Sequence, residues 1–275
     1  MRNVVLVHGF WHGSWCWSPI TARLAARGIP SVAVDLDGHG LGAVSPRSRW
    51  STPFDPAAFA TEPSPVATVT ASSAAATLVR QLREIGGGDP CVVVAHSMSG
   101  PVATAAAELA PESFAHLMYV TAFAPVGGYA AADYIRMPEN EGDLVGPLLA
   151  ADPAAVGALR IRAEGRRAQV RECFYNGIDE TAADAAIALL SVDGPMGVAD
   201  EVLSVSRERY GAVPHSYVVC ERDNAVRPAL QRLLIREIDA VSGTPTRVFE
   251  LDSSHSPFLS HSEELTSAIE AVYHG

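Results

Sequence analysis

A serine lies where a buried strand pattern meets a helix pattern. The apolar run CVVVA (91–95) continues into HSMSG and then into an alanine-rich helical segment. A strand, a sharp turn with small neighbours and a helix form the pattern of a nucleophile elbow, usually written G-x-S-x-G. Ala95 and Ser99 replace the two glycines of the motif here. Both residues are small, so they still allow the strand and the helix to approach closely. Ser97 is therefore the candidate nucleophile.

An activated serine also needs a base, and an acid that orients the base. On a parallel sheet these groups can follow later strands in the order Ser, then Asp or Glu, then His. The run SYVVC is followed by Glu221 and Asp223, and the run TRVFEL by Asp252 and His255. We assign His255 as the base and Asp223 as the acid. Glu221 falls in the last pleat of its strand, and Asp252 lies too near a strand end to reach the histidine.

The competing candidates have ordinary structural interpretations. The other place for an acid, residues 124–127 after the run LMYVTAF, reads APVG and holds no carboxylate. Asp223 itself could instead cap the helix that follows it. The remaining histidines considered are expected outside the chemistry: His8 beneath the first loop, His39 in a turn, His96 with its side chain pointing away from the site, and His261 and His274 in solvent.

A negative charge that develops on a substrate oxygen needs backbone N–H groups aimed at it. Met98, directly after the serine, offers one such group. Phe10, in the loop after the first strand, offers the second, and Gly9 allows that loop to turn into the site. We assign Gly9, Trp11 and Phe123 to substrate binding.

These positions depend on six short apolar runs without polar alternation. Such runs are typical of strands covered on both faces, and helical stretches separate them. We therefore predict an α/β fold, a doubly wound and mostly parallel sheet of about six strands with its ligand site at the carboxyl ends. The runs are VVLV (4–7), SVAVDL (31–36), CVVVA (91–95), LMYVTAF (117–123), SYVVC (216–220) and TRVFEL (246–251).

Two regions break the alternation of strand and helix. Residues 41–64 are rich in Pro, Ser and Thr, which indicates a surface excursion. Residues 127–213 contain no convincing strand, so we predict an all-helical cap, inserted after the fourth strand of a single domain, 1–275. Elsewhere the helices are expected from Ser18 as N-cap with Pro19 to Gly28, over about 65–85 and 227–241, and from Ser262 onward.

Composition excludes several classes of protein. The chain has 275 residues, 48% of them hydrophobic, and a formal net charge of −11. This charge repels phosphate backbones and anionic lipid, and no apolar run approaches the roughly 18 residues of a membrane helix. We expect a cytoplasmic protein with a small-molecule substrate and neither nucleic acid nor membrane as a partner.

Metal and cofactor sites are not indicated either. Four scattered cysteines lack any C-x-x-C pairing, so they are expected to be reduced core thiols. No His, Cys or Asp cluster has metal-ligand spacing, and no glycine-rich loop opens a helix as a phosphate site would. We expect that neither a metal nor an organic cofactor is required. The cysteines are Cys16, Cys91, Cys173 and Cys220.

Four segments together resemble one family across nearly the whole chain. VLVHGFWHGSWCW, VAHSMSGPVATAAAE, YVVCERDNAVRPALQRLLI and LDSSHSPFLSH are similar to the α/β-hydrolase superfamily, in the branch of plant methylesterases and hydroxynitrile lyases and their actinobacterial relatives. The resemblance implies Ser97, His255 and Asp223 as the triad, the Phe10 and Met98 amides as the oxyanion site, and a helical cap over an apolar pocket. Since relatives are often dimers, a homodimer is also consistent with it.

The leading hypothesis is a serine hydrolase without cofactor that cleaves a carboxylic ester or a thioester of a small apolar substrate through an acyl-enzyme. The same fold can be reused as a lyase, cyclase or cofactor-free oxygenase, or as a ligand-binding protein without catalysis. The resemblance implies that cyanohydrin cleavage needs a threonine and a lysine. The matching positions hold Gly9 and Ser256, so we expect no such activity.

Overall fold

The computed structural model describes residues 2–275, with a parallel sheet at its centre. Six strands lie in the order β2-β1-β3-β4-β7-β8, and each pair of neighbours is parallel. This arrangement agrees with the predicted fold class. The strands are β1 (Val4–Val7), β2 (Ser31–Val34), β3 (Cys91–His96), β4 (Phe114–Val120), β5 (Ala158–Arg160), β6 (Asp193–Pro195), β7 (His215–Cys220) and β8 (Arg247–Leu251).

Helices cover both faces of this sheet. They are α1 (Ser18–Ala26), α2 (Pro56–Thr61), α3 (Ala71–Gly86), α4 (Ser99–Leu109), α5 (Ala131–Ile135), α6 (Pro153–Val156), α7 (Arg167–Phe174), α8 (Glu180–Ala188), α9 (Met196–Asp200), α10 (Pro228–Val241), α11 (Pro257–Ser260) and α12 (Ser262–Tyr273). In the described part of the chain, no helix combines the length and the apolar character needed to cross a bilayer.

In the inner strands of the sheet, the unalternating apolar pattern reflects burial on both sides. All four residues of β1 are buried, and successive side chains enter different cores because they point to opposite faces. Val5 and Val7 belong to the core that α3, α4 and α10 help to form. Val4 and Leu6 belong to the core that α1 and α12 complete. A strand with two buried faces needs apolar residues at every position, which is what the sequence shows.

Two predicted helix starts are wrong, for local reasons. The helix expected from about residue 65 begins at Ala71, because Thr70 and Ser73 form a capping box in which each side chain bonds the other's backbone N–H. The first helix begins at Ser18 itself, with Trp17 as the N-cap residue. The Ser18 hydroxyl donates to the Trp15 carbonyl instead of capping the helix.

The insertion 127–213 is not all-helical. It contains the antiparallel pair β5 and β6. Their three-residue strands are too short to produce a recognisable strand pattern in the sequence. Arg160 lies opposite Asp193 in this ribbon, and the two fully buried side chains form a bidentate ion pair.

The same guanidinium binds the insertion to the excursion 41–64. Arg160 also donates to the carbonyls of Phe59 and Glu62, at the end of α2. A buried charge that lost these partners would remain in a low-dielectric interior at considerable cost. One arginine therefore holds the small ribbon and the excursion in a fixed relation to each other.

Candidate active site

The three residues assigned from strand ends lie in one hydrogen-bonded row. The Ser97 hydroxyl is 3.0 Å from His255 Nε2, and His255 Nδ1 is 2.7 Å from Asp223 Oδ2. Ser97 follows β3, Asp223 follows β7 and His255 follows β8, so all three lie at the carboxyl edge of the sheet. Asp223 and His255 are almost completely buried. This arrangement can move a proton from a hydroxyl to an imidazole whose charged form faces a carboxylate.

Local turns hold the Asp223 carboxylate in place. Its Oδ1 accepts the backbone N–H groups of Ala225 at 2.6 Å and Val226 at 2.9 Å. Its Oδ2 accepts the Thr121 hydroxyl as well as the imidazole. Asp223 thus caps the following loop and orients the histidine at once, so its two interpretations are compatible. Thr121 was missed in the sequence because no pattern of residue types connects it with Asp223, 102 residues away.

The other two acids weighed for this role point elsewhere. Glu221 forms an ion pair with Arg232 at 2.7 Å, and Asp252 forms one with Arg222 at 2.9 Å. Both of these pairs are open to solvent. Asp223 is therefore the acid that reaches His255 from this edge of the sheet.

The turn at Ser97 is strained, as an elbow is expected to be. Ser97 has a φ of 55°, a conformation that non-glycine residues rarely adopt. Its N–H donates to the Val120 carbonyl, and its own carbonyl accepts the N–H groups of Gly100 and Phe123. A Cβ at Gly100 would lie 1.7 Å from the Phe123 carbonyl oxygen, so the closest backbone approach occurs at this glycine. The two small positions of the motif, Ala95 and Ser99, are both fully buried.

Strain is concentrated around this site. The non-glycine residues with positive φ in the described chain are Trp11, Ser97 and Thr121. Trp11 follows the predicted oxyanion residue, and Thr121 donates to Asp223. Strained backbone of this kind persists where surrounding structure determines it, and it is common at functional sites.

Two backbone donors flank the serine. Within residues 2–275, neither the Phe10 N–H nor the Met98 N–H has a protein acceptor, and both residues border the cavity in front of Ser97. Gly9 lies directly behind Ser97, because a Cβ there would be 2.5 Å from the Ser97 Cβ. Gly9 is not among the residues that line the cavity, and its assignment to substrate binding stays a prediction. Its role is to let the two loops meet.

His8 orients the peptide that carries the first donor. Its Nε2 accepts the Leu36 N–H at 3.1 Å, so the proton resides on Nδ1 and is donated to the Gly9 carbonyl at 2.8 Å. That carbonyl and the Phe10 N–H belong to one planar peptide unit. Burial, followed by the neighbouring charge of His39, lowers the pKa of His8 to about 3, so the ring stays neutral.

Two further histidines lie in this layer. His12 Nδ1 donates to the Phe10 carbonyl at 3.0 Å, and its Nε2 accepts the Tyr175 hydroxyl at 2.8 Å. Burial lowers its pKa to about 3. His96 does not point away from the site as expected: its ring centroid is 4.7 Å from that of His255, and its Nε2 contacts the His255 carbonyl at 2.8 Å. His96 therefore supports the backbone of the proposed base.

A cavity opens in front of the serine. Trp11 and Phe123, the other two residues assigned to substrate binding, line it. Apart from Ser97 and His255, the polar side chain in its wall is Asp143. The wall consists of Phe10, Trp11, Ser97, Met98, Phe123, Ile135, Asp143, Val145, Leu159, Phe174, Ala225, Val226 and His255.

Trp11 joins the first loop to the inserted segment. Its indole N–H donates to the Leu159 carbonyl in β5 at 3.0 Å, and its carbonyl accepts the Ser191 N–H at 2.8 Å. The loop that carries Phe10 is therefore bonded to the insertion that closes the cavity.

No His, Cys, Asp and Glu group that could hold a metal ion occurs among residues 2–275. The cysteines are buried and free, in agreement with their interpretation as core thiols: Cys16, Cys91, Cys173 and Cys220.

Comparison with known proteins agrees with this architecture. Methylesterase 7 of Arabidopsis thaliana is 28% identical over 275 residues, covering 98% of this chain and 95% of that protein. Methyl jasmonate esterase 1 of Vitis vinifera is 21% identical, covering 98% and 96%. A pyrethroid hydrolase from Sphingobium faniae has the same fold, with a TM-score of 0.77 at 20% identity, covering 98% and 96% of the two chains. The model of the alpha/beta hydrolase family matches residues 4–268, and the chain belongs to this family.

Proposed function

We propose that the protein is a serine hydrolase that cleaves a small carboxylic ester, with methyl esters as the first substrates to test. One observation carries the proposal. The hydrogen-bonded row Ser97, His255 and Asp223 ends in an apolar cavity beside two backbone N–H groups without a protein acceptor. Relatives named as methylesterases support the choice of ester, and an α/β-hydrolase fold alone would not.

The first chemical step is the formation of an acyl-enzyme. The Nδ1–H of His255 donates a hydrogen bond to Asp223, which leaves Nε2 free to accept the proton of the Ser97 hydroxyl. The serine oxygen attacks the ester carbonyl, and the Phe10 and Met98 N–H groups bind the oxyanion. The protonated His255 then gives its proton to the departing alcohol. Asp223 stabilises the imidazolium throughout, without itself becoming protonated.

The second step releases the acid. Water enters the space left by the alcohol, and His255 removes its proton as the water oxygen attacks the acyl carbonyl. The tetrahedral intermediate collapses, the bond to Ser97 breaks, and His255 returns the proton to the serine. Each step uses groups of this chain and water alone.

Cyanohydrin cleavage is disfavoured by the first loop and by the composition. A threonine at position 9 would collide with Ser97, because even a Cβ there lies 2.5 Å from the serine Cβ. The chain contains no lysine, so no lysine ammonium can stabilise a leaving cyanide. An anion released into an apolar cavity without a cation would be poorly stabilised.

The test is turnover of methyl esters, short p-nitrophenyl esters and thioesters, with identification of both products. We expect Ser97→Ala to lower kcat at least about a thousandfold, whereas Ser267→Ala, a change of an exposed serine on α12, leaves it unaltered. Labelling by a fluorophosphonate should likewise depend on Ser97. Near-native turnover by Ser97→Ala would refute the assignment, and products other than an acid and an alcohol or thiol would indicate a different reaction class.

A further inference from the structure

A single carboxylate interrupts the apolar wall of the cavity. Asp143 lines it together with Ile135 and Val145 of the insertion. The proposed mechanism gives this carboxylate no role, since Asp223 already orients the base. Asp143 is half-buried, and a charged group in the wall of a substrate cavity favours substrates whose groups complement it.

The turn that carries Asp143 is fixed to the loop that carries the proposed acid. The Leu144 N–H donates to the Asn224 carbonyl at 2.8 Å. The Arg227 N–H donates to the side chain of Asn140 at 2.9 Å, and Asn140 is itself only 1% exposed. Both ends of the turn are therefore held against residues 224–227, directly after Asp223. Asp143 is a preorganised part of the cavity rather than a side chain on a free loop.

Within the described residues, one oxygen of Asp143 accepts hydrogen bonds from the protein. Oδ1 accepts the N–H groups of Val145 at 3.0 Å and Gly146 at 3.4 Å, which closes the turn. Between residues 2 and 275, Oδ2 has no hydrogen-bond donor, and no arginine or histidine forms an ion pair with Asp143. One acceptor oxygen of an unneutralised carboxylate thus remains for a ligand.

The field of this carboxylate reaches the cavity wall. Burial is the main cause that raises the pKa of the Cys173 thiol well above its usual range, and the negative charges of Asp223 and Asp143 add to it. Cys173 precedes Phe174, which lines the cavity. Because Asp143 is half-buried beside apolar side chains, a charge on the substrate interacts with it more strongly than it would in bulk solvent.

We infer that Asp143 selects ester substrates that carry an ammonium group or a hydroxyl group away from the ester, and rejects those that carry a carboxylate. This inference rests on the proposed esterase function. A donor on the substrate completes the coordination of Oδ2, whereas a second carboxylate would be placed beside an unneutralised one. Complementary charge in such a site supplies specificity more than general affinity.

The isosteric variant Asp143→Asn separates selection from turn formation. Asparagine keeps an oxygen that can accept the Val145 and Gly146 N–H groups, while an NH₂ donor replaces Oδ2 and the charge is lost. Asp179→Asn is the matched control. Asp179 accepts the Thr181 and Ala182 N–H groups in the same local pattern, but it is exposed and does not line the cavity.

The kinetic experiment compares methyl esters of equal chain length at pH 7.5. Methyl 6-aminohexanoate, methyl 6-hydroxyhexanoate, methyl hexanoate and monomethyl adipate differ only in the terminal group, and homologues with four and eight carbons cover the depth of the cavity. We expect the ratio of kcat/KM for the amino ester to that for the carboxylate ester to fall at least about tenfold in Asp143→Asn. The ratio should remain unchanged in Asp179→Asn.

A binding experiment gives a result even if esters are not turned over. The corresponding N-methylamides, which lack a labile ester, are titrated into wild type and both variants by calorimetry. The same tenfold change in the ratio of dissociation constants is expected. A change below about twofold in Asp143→Asn, or an equal change in Asp179→Asn, overturns the role of Asp143. Preserved charge selection in binding without hydrolysis of any ester would instead refute the proposed esterase and leave the inference about selection standing.

Discussion

Acid should unfold this protein through histidines that the fold keeps neutral. His215, the first residue of β7, is far from the active site and only 2% exposed. Its ring lies 4.4 Å from that of Tyr210, and its Nδ1 contacts the Ser242 hydroxyl at 3.1 Å. Burial, followed by repulsion from His116, lowers the pKa of His215 from 6.5 to about 3.

The direction and size of the effect follow from linkage. Because the folded-state pKa lies below the unfolded value, the unfolded chain binds more protons below about pH 6.5. The contribution to stability is complete above that pH and is lost as the pH falls towards 3. Between pH 7 and pH 5, one such histidine lowers the free energy of unfolding by about 2 kcal/mol. The pKa values of His8 and His12 are lowered in the same direction, so acid should destabilise the fold through these histidines as well.

Urea unfolding at pH 7 and at pH 5 tests this reasoning. In His215→Phe, which cannot titrate, the loss of stability between the two pH values should be smaller than in wild type by about 2 kcal/mol. His274→Gln, a change of an exposed histidine near the end of α12, should leave the wild-type loss intact. An identical pH dependence in wild type and His215→Phe would show that His215 binds protons equally in both states, and the reasoning would be refuted.

Three substitutions test other parts of the structure. Thr121→Val removes the hydroxyl that donates to Asp223, so kcat should fall about tenfold with little change in KM, as measured by steady-state kinetics. Arg160→Met leaves Asp193 buried without its partner, and urea unfolding should show a loss of about 3–5 kcal/mol. Gly100→Ala forces a Cβ into the backbone carbonyl opposite, so near-ultraviolet circular dichroism should show loss of native packing, and a native spectrum would contradict the tight approach.

The sequence predicted those features that a short local pattern of residues is enough to identify. Apolar runs of four to seven residues predicted the six strands of the central sheet. Burial on both faces explains this pattern in the inner strands, whereas the edge strands β2 and β8 are largely exposed or half-buried, so full burial was wrong for those two. Small neighbouring residues identify the turn at Ser97. The order of acid and base after later strands identifies Asp223 and His255. The structure brings these three side chains within hydrogen-bond distance.

The parts that sequence reasoning missed depend on segments far apart in the chain. Thr121 approaches Asp223 only because β4 and β7 are neighbours in the sheet. Asp143 enters the cavity wall because its turn packs against residues 224–227. No polar pattern in the sequence marks His12, and the available signal is the dense aromatic stretch from Phe10 to Trp17. No local preference encodes contacts of this kind.

The bonds made by Trp11 bear on how such enzymes can be re-engineered. Exchanging residues 127–213 for the corresponding segment of a relative is an obvious route to new specificity, since this segment supplies much of the cavity wall. The indole and the carbonyl of Trp11 would then lose Leu159 and Ser191 unless the donated segment offers an acceptor and a donor in the same places. A chimera designed only for shape would therefore loosen the loop of Phe10 and lose rate together with its old specificity. Transplanted segments should be chosen first for these two backbone bonds and only then for the side chains they bring.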